Sequence, residues 1–219
     1  MFIEMIDLLR CVNDHQDSWL VASFRSITNR IVIDGTLGCP ICAAEYEIVD
    51  GIADFTLGDA VPSLDKERAV ARHEREDHAT RAGAYLDATQ PGATVVLGGI
   101  WAHAAQQLAE MADIRVIAIN PPSEIKESER VGLVRVGGRI PLAPNSVQGV
   151  ALDAWFPPAI VDAAIRAIKP GGRVVGPASI THPDALAVLA RDDKYWVAEK
   201  PAAMVSISRS RAAISKETG

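Results

Sequence analysis

Three cysteines, Cys11, Cys39 and Cys42, are the residues best suited to chemistry in this sequence, and none follows residue 42. Cys39-Pro40-Ile41-Cys42 is a C-x-x-C knuckle, a turn that aims two thiolates at one ion. Cys11 is separated from the knuckle by 27 residues, enough for a hairpin to bring it back. Three cysteines cannot all pair with one another, which points to a metal rather than to disulfides. Zinc favours tetrahedral sulfur and imidazole ligation. The fourth ligand is not a cysteine. His15, at C-x-x-x-H spacing, is chemically the usual one and gives the set Cys11, His15, Cys39 and Cys42. Asp14, at C-x-x-D spacing, holds the place a second C-x-x-C would use. The plain alternative is three cysteines buried as small apolar side chains.

The chain that must position these residues has 219 residues, 48% of them hydrophobic and 23% charged. That is enough for one large α/β domain or a domain with a small appendage, and it excludes disorder, collagen and coiled coil. The net charge of −6 is uneven: residues 1–57 hold nine acidic side chains against three basic ones, and the rest of the chain holds 19 of each sign. An acidic segment repels phosphate backbones, so nucleic-acid binding through that part is not expected. No run of 18 apolar residues suggests a membrane span, and the acidic opening MFIEMIDLLRC does not read as a secretory signal. A soluble, cytoplasmic protein is expected.

Two regions differ in pattern. Residues 1–57 read as a β-rich unit around the cysteines, with strands at 19–24, 31–34 and 46–49. Residues 58–90 read as a linker and a charged helix over 64–87, with Ser63 as its N-cap and no broad apolar stripe. From residue 91 apolar strands alternate with helices. Strands are expected at 94–97, 115–119, 133–136, 147–152 and 172–175, and helices at 102–112, 122–129, 158–168 and 183–191. Such alternation implies parallel pairing through crossover helices. Strands at 195–198 and 204–208, with no helix between them, should close the fold as an antiparallel pair.

Residues 38–55, GCPICAAEYEIVDGIADF, resemble the closing half of the small zinc-ribbon proteins that activate tRNA, rRNA and translation-factor methyltransferases. In that family a C-x-x-C is followed by an aromatic, a β segment and Asp-Gly-Ile. Ile6-Asp7-Leu8-Leu9-Arg10-Cys11 resembles the family's opening, and the likeness covers about 50 residues. The departure is CVNDH where the family has C-P-x-C.

Residues 163–175, AAIRAIKPGGRVV, resemble the helix, L-K-P-G-G turn and fifth strand of class I S-adenosylmethionine-dependent methyltransferases. Residues 139–153, RIPLAPNSVQGVALD, resemble the segment leading into that family's fourth strand. The likeness implies a doubly wound, Rossmann-like α/β sheet over 91–219, with its ligand crevice at the carboxyl ends of the central strands. The cofactor contacts it implies are Gly98, Gly99 and Asn120. Several of them depart from the family. In the first loop Ile100 and Ala102 stand for glycines, Val96 for an acid, and the bulky Trp101 should fill ligand space. Asn120 replaces the carboxylate that holds the ribose, and Gly138 stands where an Asp meets the adenine.

Asn120-Pro121-Pro122-Ser123 looks like the N-P-P-aromatic motif of amino-methyltransferases but follows the second strand and lacks the aromatic. Trp155-Phe156-Pro157-Pro158 follows the fourth strand without the leading polar residue, and reads as a packed aromatic–proline turn. His103 and His182 should lie near the crevice rim as surface or capping residues. No catalytic residue is assigned. The resemblances together imply a fused ribbon and methyltransferase-like domain with a decayed cofactor site, acting as a scaffold or regulatory subunit for a protein partner. The alternative is a divergent active methyltransferase. Zinc is the expected cofactor; S-adenosylmethionine is doubtful.

Overall fold

The computed structural model describes residues 1–59 and 72–202, with side chains in its first helix from residue 77. After a 3-10 helix at Ile3–Leu8 come four strands, β1 (Val21–Thr28), β2 (Ile31–Gly38), β3 (Glu45–Val49) and β4 (Ile52–Phe55), each antiparallel to the next. The later elements are α1 (Arg72–Leu86), β5 (Thr94–Gly98), α2 (Ala105–Met111), β6 (Arg115–Ile119), β7 (Val131–Val136) and β8 (Val147–Ala151). They are followed by α3 (Pro158–Ala167), β9 (Ile168–Pro177), β10 (Ala187–Arg191) and β11 (Tyr195–Glu199).

The eleven strands of the described residues form one sheet, in the order β1-β2-β3-β4-β7-β6-β5-β8-β9-β11-β10. β4 lies parallel to β7, with Ile52 opposite Leu133 and Phe55 opposite Val136, so the cysteine-bearing hairpins extend the α/β sheet edge to edge. β7, β6, β5, β8 and β9 are parallel, and β11 is antiparallel to both β9 and β10. Strand order reverses between β5 and β8, the switch point where a doubly wound sheet opens its crevice.

The two faces are covered differently. α1, α2 and a 3-10 turn at Gly99–Ala104 cover one face through Ala79, Ala82, Leu86, Trp101 and Leu108. On the other, α3 packs Ile160, Val161 and Ala164 against the strands, and no helix intervenes between β7 and β8. That gap is filled by the chain's opening. The 3-10 helix Ile3–Leu8 and its flanks bury Phe2, Met5 and Leu9 in the same core as Val134 and Val136. Each such side chain stabilises the fold by about 1.5–3 kcal/mol. Gly132 makes the approach possible, since a Cβ there would overlap Met5 Sδ.

Several expectations are corrected. The segment 122–129 is a loop, because only Pro122 and Ile125 are buried in it, too few for a helical apolar stripe. The helix expected at 183–191 is instead a loop and β10: pairing with β11 overrides the helical propensity of Ala185–Ala190. The helix expected from 102 begins as the 3-10 turn. The charged helix, expected to carry no broad apolar stripe, buries a narrow one of mostly small residues, Ala79, Ala82 and Leu86. β11 closes the fold antiparallel, but with β10. The strand expected at 204–208, Ser63 and the helix start before Arg72 lie outside the described residues. Among the described residues no helix is long and apolar enough to cross a membrane.

Candidate metal centre and strand-end crevice

Cys11 follows the opening 3-10 helix, His15 lies in the loop before β1, and Cys39 and Cys42 flank the knuckle after β2. The knuckle closes on itself as the Ala43 N–H donates to Cys39 O, while the Cys39 N–H donates to Ala44 O. One ligand atom from each of the four residues lies within 4.8 Å of the other three. Cys11 Sγ is 3.6 Å from Cys42 Sγ, and Cys39 Sγ is 3.3 Å from His15 Nε2. Tetrahedral zinc would require about 3.8 Å between sulfurs and about 3.5 Å from sulfur to nitrogen. The donor set fits.

The surroundings orient these donors. His15 Nδ1 lies 2.7 Å from Gln16 O; donating its proton there leaves Nε2 to face the cluster with its lone pair. That carbonyl also raises the His15 pKa. The Tyr46 hydroxyl accepts from Val12 N–H at 3.2 Å, which leaves its own proton for Cys11 Sγ at 3.0 Å. Burial raises the Cys11 thiol pKa, and the Tyr46 bond opposes it. Cys42 is pulled down to about 6, chiefly by the Asn13 amide donating to its sulfur at 3.3 Å and by the Ala44 N–H. Tyr46 in turn stacks on Phe55 with 4.3 Å between ring centres, tying the cluster to β4.

Asp14 points elsewhere. Arg139 donates to Asp14 Oδ1 and Oδ2, each at 2.7 Å, and also to Val12 O at 2.7 Å. This fork, from the connection after β7, clamps the metal loop to the α/β half and holds the Asp14 carboxyl below its ordinary pKa. The two candidates for the fourth position therefore separate. His15 joins the cysteines; Asp14 serves the clamp.

At the carboxyl ends of the central strands, Asn120 is hydrogen-bonded within the protein, and Gly98 and Gly99 are closely packed on the side where a Cβ would stand. Asn120 follows β6 with φ +48. Its Nδ2 donates to Val136 O at 3.1 Å and its Oδ1 accepts from Val136 N–H at 2.8 Å. Gly99, at φ +65, lies against Asp153 so closely that a Cβ would overlap the carboxylate. A Cβ at Gly98 would stand 2.7–2.8 Å from Leu152 and Phe156. Gly138 lies in the β7–β8 connection and contributes no carboxylate.

No motif singles out Asp153, which lies against Gly99 just after β8. It is 6% exposed, and it accepts from Ile100 N–H at 2.6 Å and from Trp155 N–H at 3.0 Å. Burial raises its pKa, with those two N–H groups opposing. Its signal was an acid directly after the apolar run of β8. Trp101 is buried in the layer beneath α1, 5.0 Å from the Tyr195 ring and 5.7 Å from His78. His103 is also buried, not a rim residue, with Nδ1 3.0 Å from Glu124 Oε1. His182 is half-buried and edge-on to Trp196. Phe156 is buried beside Gly98, Trp155 is exposed, and Pro158 opens α3.

No known family profile matches the sequence, and no curated protein matches it either. Among solved structures, the chain is similar to a chain in the complex between the Haloferax volcanii Trm112 methyltransferase activator and a candidate methyltransferase. That match has 17% identity and a TM-score of 0.45, covering 61% of this chain and 93% of the other. The [4+2]-cyclase SpnF matches at 13% identity and a TM-score of 0.45, covering 62% of this chain and 65% of its own. A candidate S-adenosyl-L-methionine-dependent methyltransferase from Methanococcus maripaludis matches at 13% identity and 0.45, covering 60% and 87%. The fold is a mixed α/β sheet of Rossmann-like methyltransferase order, which the strand order and directions display directly.

Proposed function

We propose that this chain is a non-catalytic, methyltransferase-like scaffold or regulatory subunit for a protein partner, with a zinc-holding ribbon built into residues 1–57. Residues 58–90 connect the ribbon to the α/β part at 91–219. The observation that carries the proposal is the engagement of Asn120 with both backbone groups of Val136. Those two bonds turn the amide toward Val136 and leave it one donor hydrogen and one lone pair, a neutral group where the family has a carboxylate that takes both ribose hydroxyls. The Asp153 carboxylate against Gly99 supports the same conclusion, because it takes the Ile100 N–H in the loop where the family's glycines let the backbone approach the ligand.

In this account Cys11, His15, Cys39 and Cys42 hold zinc, which supplies a structural cross-link between the opening helix and the knuckle. Arg139 transmits that order to the connection after β7. Native mass spectrometry of the purified chain tests the proposal. A mass with one zinc and no nucleoside supports it; S-adenosylmethionine or its demethylated product bound to the chain would overturn it in favour of a divergent active methyltransferase.

A further inference from the structure

The three sulfurs of the metal cluster differ in access and in what they face. Cys39 is 3% exposed, and its Sγ lies 3.3 Å from His15 Nε2. Cys42, at the far end of the knuckle, is exposed, and Cys11 is partly so. These two accessible sulfurs are neighbours: Cys11 Sγ and Cys42 Sγ stand 3.6 Å apart, although 31 residues separate them in the chain. One residue reaches both. The Asn13 backbone N–H donates to Cys11 Sγ at 3.5 Å, and Asn13 Nδ2 donates to Cys42 Sγ at 3.3 Å. The Tyr46 hydroxyl, 3.0 Å from Cys11 Sγ, holds that sulfur in place. A disulfide has its sulfurs about 2.05 Å apart, so side-chain rotations that close the gap by roughly 1.5 Å would join the pair.

We propose that Cys42 is a peroxide-reactive thiol and that Cys11 resolves it, so that oxidation replaces the metal cross-link between the opening helix and the knuckle with a Cys11–Cys42 disulfide. An oxidant arriving from solvent meets Cys42 first, because reaction at a thiol follows its exposure. Cys39 is the other partner that the C-x-x-C spacing offers. Its burial and its turn toward His15 set it aside, whereas Cys11 already faces Cys42.

The chemistry balances with hydrogen peroxide as the only co-reactant. The Cys42 sulfur attacks one peroxide oxygen: an S–O bond forms, the O–O bond breaks, and the sulfur gives up two electrons. The departing hydroxide takes a proton from solvent. The Cys11 sulfur then attacks the Cys42 sulfenic sulfur: an S–S bond forms, the S–O bond breaks, and the second hydroxide leaves as water with another solvent proton. One peroxide, two thiolates and two protons give one disulfide and two waters. Cys39 and His15 then remain, two donors where a closed zinc site has four, so the ion is released. That release rests on the metal reading given above; the pairing of the sulfurs rests only on their positions and access. The disulfide ties the same two points that the ion ties, so the strands around the cluster stay in place when the ion is lost.

The full chain, reduced and with its zinc counted, is treated with a small molar excess of hydrogen peroxide. Free thiols should fall from three to one, and a chromogenic chelator should register one zinc ion released per disulfide formed. Differential alkylation with peptide mapping should mark Cys39 as the thiol that remains, and dithiothreitol should restore all three. Cys39→Ser should form the same disulfide, and Cys42→Ser should slow the loss of thiol at least about tenfold. A Cys39–Cys42 or Cys11–Cys39 link would overturn the proposal. So would a chain that keeps all three thiols, or one that forms the disulfide and still holds its zinc. A chain isolated without zinc that forms the Cys11–Cys42 link would uphold the pairing and contradict the metal reading alone.

Discussion

Asn120 and Val136 form a closed two-bond ring across the ends of β6 and β7. The amide of one side chain donates to the carbonyl and accepts from the N–H of one residue, at 3.1 and 2.8 Å. The left-handed backbone of Asn120, φ +48, turns the chain out of β6 while its side chain continues the ladder that β6 has left. An asparagine is suited to both tasks: it tolerates positive φ and presents donor and acceptor side by side. A carboxylate has only acceptors. The residue that looks like a weakened cofactor ligand in the sequence is, in the fold, a strand-end fastener.

Asn120→Asp should therefore lower stability by about 1–3 kcal/mol at neutral pH, because a carboxylate would face the Val136 carbonyl without a proton to share. It should not create affinity for S-adenosylmethionine. Chemical denaturation and ligand titration of the variant check both halves. A variant as stable as the parent that gains micromolar binding would contradict the role given to Asn120.

Metal content should separate the two neighbours in the loop. His15→Ala should lose zinc, while Asp14→Ala should keep it, since Asp14 is engaged by Arg139 rather than by the cysteines. Elemental analysis after dialysis decides it, and zinc lost from the Asp14 variant alone would reverse the assignment.

Acidification should release the ion. Cys42, at about 6, is already a thiolate at pH 7, whereas the raised pKa values of Cys11 and His15 mean that their protons must leave for the metal to bind. Affinity should thus fall as pH drops toward 6, and fall more steeply below it as Cys42 takes up a proton. Asn13→Ala removes the donor that favours the Cys42 thiolate, so its release midpoint should move to higher pH. Chelator competition between pH 8 and pH 5 measures this; a flat profile would contradict it.

Residues 1–57 should not be separable from the rest. Removing them uncovers the edge of β7 and the surface on which Phe2, Met5 and Leu9 pack. A fragment of residues 58–219 is expected to be poorly soluble. A soluble fragment that unfolds cooperatively would show that the α/β part holds its own core.

Much of this arrangement was legible in the sequence where side-chain spacing alone dictates it. The knuckle and Cys11 converge as their spacing implied, and β5, β6 and β8 follow from short, nearly continuous apolar runs. What was hidden depends on contacts distant in the chain. β4 is four residues long and owes its pairing partly to β7, some 80 residues later. β10 has good helix formers and becomes a strand only because β11 offers an edge. The roles of Asn120 and Asp153 lie in their bonds to Val136, Ile100 and Trp155, which no local pattern encodes. Resemblance directed attention to Asn120 as a ligand contact and passed over Asp153.

Calorimetric titration of the zinc-loaded chain with S-adenosylmethionine, and separately with its demethylated product, tests the central claim most directly. The account predicts no saturable heat up to millimolar ligand, because Asn120, turned toward Val136, offers the ribose no carboxylate and a buried carboxylate lies on the loop glycine. Saturable binding of either compound in the micromolar range would contradict it.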